Sequence, residues 1–200
     1  MIFCTLFDSN YSDKGLVLLD SLMRLNIDFK LYVLAMDNKC YEILKDTHEV
    51  IPIELNEFLK HNRGLASVRE NRKWGEFCWT CTPFLIDHVL SHYGEDICTY
   101  IDSDIYFFSD PQCLIDEMQD KTVQIVPHRF SDSMKDRNLK KSSGTYCVQF
   151  NSFKNTPDSL ELLHWWRDKC LESCTNIAEP AKGHLLGDQG YLEDWGEKPN

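Results

Sequence analysis

The sequence predicts an α/β fold: a central mixed, mainly parallel sheet flanked by helices. Three observations carry this. Short apolar runs alternate with stretches of helical period through residues 1–101, the pattern of parallel strands joined by covering helices. Two of those runs end at aspartates, Asp8 and Asp102, and in open α/β sheets ligands bind outside the carboxyl ends of strands. Finally, 200 residues with 42% hydrophobic, 12% aromatic and 26% charged content suit one domain with a sizeable core.

Taken in order, Ile2 to Phe7 is a short apolar run that stops at Asp8. After DSNYSDKG, the spacing of Leu16, Leu19, Leu22 and Met23 is helical. FKLYVLAM reads as a second buried strand, DNKCYEILKD as a helix opened by a capping Asp37 or Asn38, and EVIPIEL as a third strand. A polar stretch, HNRGLASVRENRKWGE, precedes a helix from Phe77 to Tyr93 that tolerates Pro83, and Ile97 to Ile101 is the next strand. The second half is less regular. VQIVPHRF is a strand, SDSMKDRNLKKSSG a polar loop carrying most of the local positive charge, and GTYCVQFNSF another strand. SLELLHWWRDKCLESC is a long amphipathic helix, and a short helix begins at DQGYLEDW. There is no internal repeat.

Charge narrows the partners. Against 21 Lys and Arg stand 32 Asp and Glu, a formal charge of -11, which repels nucleic-acid phosphates and anionic lipid. No run approaches the roughly 20 apolar residues of a membrane span, and MIFCTLFDSNY lacks the basic start and long apolar stretch of a signal peptide. The chain therefore reads as cytoplasmic, and its nine cysteines as reduced thiols. Cys78, Cys81, Cys170 and Cys174 have the spacing of a zinc site but sit in helical stretches without the turns of zinc knuckles. Residues 1–200 read as a single domain, and the finish on GEKPN as a piece of something longer.

The chemistry concentrates at CTYIDSDIYFFSDP, residues 98 to 111. Aspartates at the mouth of an apolar strand need a partner. Carboxylates at i and i+2 of extended backbone share one face, and a turn at Ser103 lets Asp102 and Asp104 reach one cation. Mn²⁺ and Mg²⁺ prefer such hard oxygen ligands and bind through one or two carboxylates plus substrate phosphates.

CTLFDSNYSDKGLVLLDSL, CTYIDSDIYFF, GTYCVQFNSFKNTPDSLELLHWWRDKC and GDQGYLEDW, in this order over nearly the whole chain, resemble the metal-dependent nucleotide-sugar glycosyltransferases of GT-A (nucleotide-diphospho-sugar transferase) fold, especially glycosyltransferase family 8. The resemblance implies that Asp8, Asn10 and Tyr11 hold a nucleobase, uracil by preference, with Tyr11 stacking on it. It also implies that Asp102 and Asp104 hold Mn²⁺ or Mg²⁺ against the diphosphate; Thr5, Arg72 and Ser103 are further candidates for the donor-binding set. Asp188 and Gln189 match the family's Asp-Gln beside the reacting sugar. The implied reaction moves a sugar from a UDP-sugar to a hydroxyl of a saccharide or lipid-linked saccharide, with retention. The chain departs from the family in three places. WTCTPF stands where relatives carry an arginine, leaving Arg69, Arg72 or Lys73 as substitutes. Cys147 and Gln149 occupy positions that are usually small or amide, and the family's third metal ligand, a C-terminal histidine, would lie beyond residue 200.

Two other functions compete. Haloacid-dehalogenase-like phosphatases also place Asp-x-Asp after a strand, but on the first strand, where this chain has only Asp8. A degenerate nucleotide-binding module would bind without turnover. Among the remaining residues, Trp165 and Trp166 read as core, and His48, His61, His88 and His92 as solvated. His128 and Arg129 are candidates to touch sugar or acceptor, and His184 is a weaker metal candidate. The Lys135 to Lys141 cluster reads as a mobile loop able to close over the donor.

Overall fold

The computed structural model describes residues 1–178 and 186–197. Its elements are β1 (Ile2–Phe7), α1 (Ser12–Arg24), β2 (Lys30–Ala35), α2 (Asn38–Leu44), β3 (Val50–Glu54), α3 (Leu55–His61), α4 (Arg63–Val68) and α5 (Trp74–His92). They continue with β4 (Ile97–Ile101), α6 (Gln112–Asp116), β5 (Val123–Pro127), α7 (Met134–Ser143), β6 (Tyr146–Lys154) and α8 (Pro157–Glu172), and close with a 3₁₀ segment, Gln189–Glu197. The six strands form one sheet in the order β3-β2-β1-β4-β6-β5. β1 to β4 run parallel, and β6 lies antiparallel to both β4 and β5. The mixed, mainly parallel sheet expected from the alternation is present.

The two-residue period of the strands sorts the core into two layers. Phe3, Phe7, Leu31, Val33 and Ala35 face Leu18, Leu19 and Leu22 of α1. Cys4, Leu6, Tyr32 and Leu34 face the α5 and α8 side, where Phe77, Phe84, Leu85, Val89, Leu163 and Trp166 are buried. β1 is buried from Phe3 onward because it lies inside the sheet with helices on both faces. Gly15 lets α1 close on the end of β1, since a Cβ there would stand 2.3 Å from Cζ of Phe7. Asp37 caps α2, its Oδ1 accepting from Cys40 N at 2.7 Å. Trp166 is wholly buried, in keeping with a core role, and Trp165 is partly buried against the same layer.

Several expectations need correction. The polar stretch HNRGLASVRENRKWGE holds the end of α3, all of α4, a 3₁₀ turn at Arg69–Asn71 and the start of α5. The supposed loop SDSMKDRNLKKSSG holds α7, which is rich in the good helix formers Lys, Arg and Leu. Gly144, at φ +85°, closes that helix by donating from its N–H to Lys140 O at 3.0 Å. The lysines are exposed, on a helix rather than a loop. β5 stops at Pro127 because Arg129 takes φ +53°, leaving VPHRF only partly strand. His88 is buried, not solvated; it packs against Phe58, His61, His92 and Tyr93. Among the described residues no helix is long and apolar enough to cross a membrane.

Candidate functional site

The site is assembled on the carboxyl edge of β1 and β4, neighbours in the sheet. Where β1 ends, Asp8 turns the chain into α1. Its Oδ1 accepts from Asn10 N at 2.9 Å and Tyr11 N at 3.2 Å, a side-chain turn of the kind aspartate favours. Its Oδ2 accepts from Asn10 Nδ2 at 3.3 Å and from Trp74 Nε1 at 2.8 Å. Asp37, after β2, accepts from Ser9 N at 2.9 Å and so ties the first two loops together. Burial works against its charge, yet the Ser9 and Cys40 amides outweigh burial and hold its carboxyl below the usual range.

The Tyr11 ring stands half in solvent with Lys14 Nζ 4.1 Å from its centre. The same ammonium lies 3.6 Å from Asp104 Oδ2, so one lysine touches both the nucleobase candidate and the metal candidate. A cleft of about 410 Å³ lies beside it, lined by Asp13, Lys14, Val17, Asp104, Ile105 and Tyr106.

At the end of β4, Asp102 N–H donates to Gln149 O of β6 at 3.1 Å, Ser103 is buried, and Asp104 is exposed. Burial and then the Asp104 charge push the Asp102 carboxyl up to about 6, with the Tyr100 hydroxyl opposing them. Behind it lies Asp188, buried and pushed up to about 7 by burial and by Asp102, against hydrogen bonds that favour its charge, including one from the Thr82 hydroxyl. The carbonyl of Asp188 accepts from Trp166 Nε1 at 3.0 Å, and Gln189 Nε2 donates to Ser143 O at 3.2 Å. Gly187, at φ +60°, sets up this turn where a Cβ would lie 3.1 Å from Cε3 of Trp79.

Among the described residues no three His, Cys, Asp or Glu side chains converge to hold an ion by themselves. Asp102 and Asp104 do present two hard oxygen donors whose mutual repulsion a cation relieves, a fit to Mg²⁺ or Mn²⁺ completed by phosphate and water. His184 lies outside the described residues.

The other candidate donor residues are less open. Thr5 is fully buried, and its Oγ1 has no hydrogen-bond partner among the described residues. Arg72 is engaged in packing, its guanidinium donating to the Thr80 hydroxyl and, at 2.6 Å, to Leu171 O. His128 N–H donates to Thr145 O at 2.9 Å, and its ring stacks on Phe130 at 4.7 Å. Trp74 and Lys14 do not stand out as site residues in the sequence. Lys14 could have been found from its i+3 spacing to Tyr11 on one helix face. Trp74 meets Asp8 across 66 residues of chain and left no local signal.

No protein-family profile matches the chain. Two curated relatives in Bacillus subtilis (strain 168) do. The uncharacterized protein YfnF is 30% identical over 201 residues, covering 96% of this chain and 64% of its own length. The uncharacterized protein YfnD is 30% identical over 199 residues, covering 98% and 62%. The chain thus spans less than two thirds of the relatives it matches. Among solved structures, the galactosyltransferase LgtC in complex with donor and acceptor sugar analogs superposes with a TM-score of 0.64 at 13% identity, covering 98% of this chain and 70% of that one. The glycosyltransferase GlyE of Streptococcus pneumoniae TIGR4 gives 0.56 at 15% identity, covering 97% and 42%. With its six-stranded mixed sheet and flanking helices, the chain has the GT-A fold of these glycosyltransferases.

Proposed function

We propose that the chain is the donor-binding part of a metal-dependent glycosyltransferase that moves a sugar from a UDP-sugar to a hydroxyl of a saccharide or lipid-linked saccharide, with retention. One observation carries the reading: Asp8 and the Asp102/Asp104 pair leave adjacent parallel strands at one sheet edge, and Lys14 touches both Tyr11 and Asp104. That spacing suits a ligand with a base at one end and a diphosphate at the other. The likeness to LgtC, a structure holding donor and acceptor sugar analogs, supports it.

In this reading Tyr11 offers its half-exposed ring to the base, and Asp8 accepts from the base N–H. Asp102 and Asp104 would hold Mn²⁺ or Mg²⁺, which when bound supplies the positive charge that neutralises the diphosphate leaving group. Asp188 stays behind Asp102, buried, and positions Gln189 through the shared turn. An amide is too weak a base to activate an acceptor for inversion. Retention instead lets a leaving-group oxygen take the acceptor proton on the same face. Asp188 is too enclosed to serve as the base that inversion needs.

Anomeric NMR of the product formed from an α-linked UDP-sugar tests the reading. An α product is expected; a β product overturns retention, and UDP-sugar left intact with every saccharide acceptor favours a binding module without turnover.

A further inference from the structure

Both carboxylates assigned above to the ends of the donor are already engaged by the chain's own side chains. Asp8 receives two N–H donors on each oxygen, which fills the roughly four acceptor positions of a carboxylate. A base N–H aimed at Asp8 must therefore take the position of one of them. Three come from the turn that starts α1 and are fixed by the backbone path and Asn10. The fourth, from Trp74, is not. Trp74 opens α5 and is 41% exposed. The start of that helix is held independently, by Glu76 Oε2 accepting from Lys73 N at 3.1 Å, so the indole can turn away without undoing the cap.

Asp104 shows the same arrangement at the other end. Its partner Lys14 is half exposed, and the open cleft of about 410 Å³ beside it gives the ammonium room to withdraw. The pair is surface-screened and weak, as a contact that must yield to a divalent ion has to be.

We propose that Trp74 and Lys14 are place-holders for the donor: the indole N–H stands where a nucleobase N–H bonds to Asp8, the ammonium stands where a divalent cation meets Asp104, and donor binding displaces both. This rests on the donor-site reading and adds to it two residues that set how tightly the site takes its ligands. A site that is partly self-occupied has an apparent dissociation constant equal to the intrinsic one divided by the fraction of molecules in the open state. Removing a place-holder therefore tightens binding, opposite to the usual effect of a binding-site mutation and unobtainable from a misfolded variant.

The test uses Trp74→Phe, which keeps a ring but no N–H, and Lys14→Met, which keeps an alkyl stem over Tyr11. Mn²⁺ affinity is read from the electron paramagnetic resonance signal of the free ion, without nucleotide, and UDP affinity by calorimetry in saturating Mn²⁺. Lys14→Met is expected to bind Mn²⁺ about two- to fivefold more tightly, the range of an exposed ion pair. Trp74→Phe is expected to bind UDP about three- to tenfold more tightly, the range of one hydrogen bond. If the wild-type chain binds both ligands and either variant binds its ligand equally or more weakly, the place-holder role of that residue is overturned while the donor-site reading stands. If the wild-type chain binds neither Mn²⁺ nor UDP, the donor-site reading falls and the place-holders with it.

Discussion

The indole N–H of Trp166, wholly buried on α8, donates to the carbonyl of Asp188 at 3.0 Å and so moors the Asp188-Gln189 turn to the core. Trp166 also stacks on Phe153 of β6 and meets Trp195 edge-on. Trp166→Phe would keep much of this packing but leave a buried carbonyl without its donor. It is expected to cost about 1–3 kcal/mol of stability and to lower turnover more than UDP affinity, because Gln189 lies beyond the turn and the base contacts do not. Denaturant unfolding with separate kcat and KM measurements checks this.

Asp102→Asn should separate function from stability. Asp102 is largely enclosed, with Asp104 and Asp188 both close enough to oppose its charge. Removing that charge is expected to raise the thermal midpoint in metal-free buffer while weakening Mn²⁺-dependent UDP binding by about one to two orders of magnitude. Asp104→Asn, at an exposed position, should lose binding without gaining stability. A drop in the midpoint of Asp102→Asn would show that the carboxylate is needed for folding.

Gly187→Ala forces a side chain into φ +60° and against Trp79, 3.1 Å away. A strained left-handed residue costs on the order of 1 kcal/mol or more, and the strain falls on the peptide leading to Asp188. The variant should melt earlier and turn over more slowly, with Mn²⁺ affinity unchanged because Asp102 and Asp104 sit on another element. Calorimetric melting beside Mn²⁺ titration distinguishes this from general unfolding.

Acid should destabilise the chain through His88. Burial, with His92 and His61 beside it, pushes this imidazole down to about 4 from its usual 6.5, while Asp87 opposes the shift. The unfolded chain therefore binds a proton below about 6.5 that the folded chain refuses until about 4. This contribution is full above about pH 6.5 and fades as pH falls towards 4. Unfolding of the parent and His88→Leu chains at several pH values in that window should show a shallower acid slope for the variant.

Much of the sheet was legible because most of its strands are largely apolar runs, and Asp8 and Asp102 could be found because carboxylates interrupt those runs at one edge. α7 was not, since its residues are polar all round and leave no periodic apolar stripe to read. His88 looked solvated because burial came from α3, some 30 residues upstream, whose Phe58 and His61 close over it. Trp74 was invisible for the same reason: its bond to Asp8 is a product of topology, as α5 brings its first turn to the end of β1.

The central claim is that one sheet edge takes a uridine diphosphate through a divalent cation. Titrating UDP, GDP and CMP into the chain with and without Mn²⁺ tests it most directly. UDP binding is expected to be the tightest of the three, to depend on Mn²⁺ and to be lost in Asp104→Asn. Equal binding of all three nucleotides, or UDP binding indifferent to Mn²⁺, would contradict it.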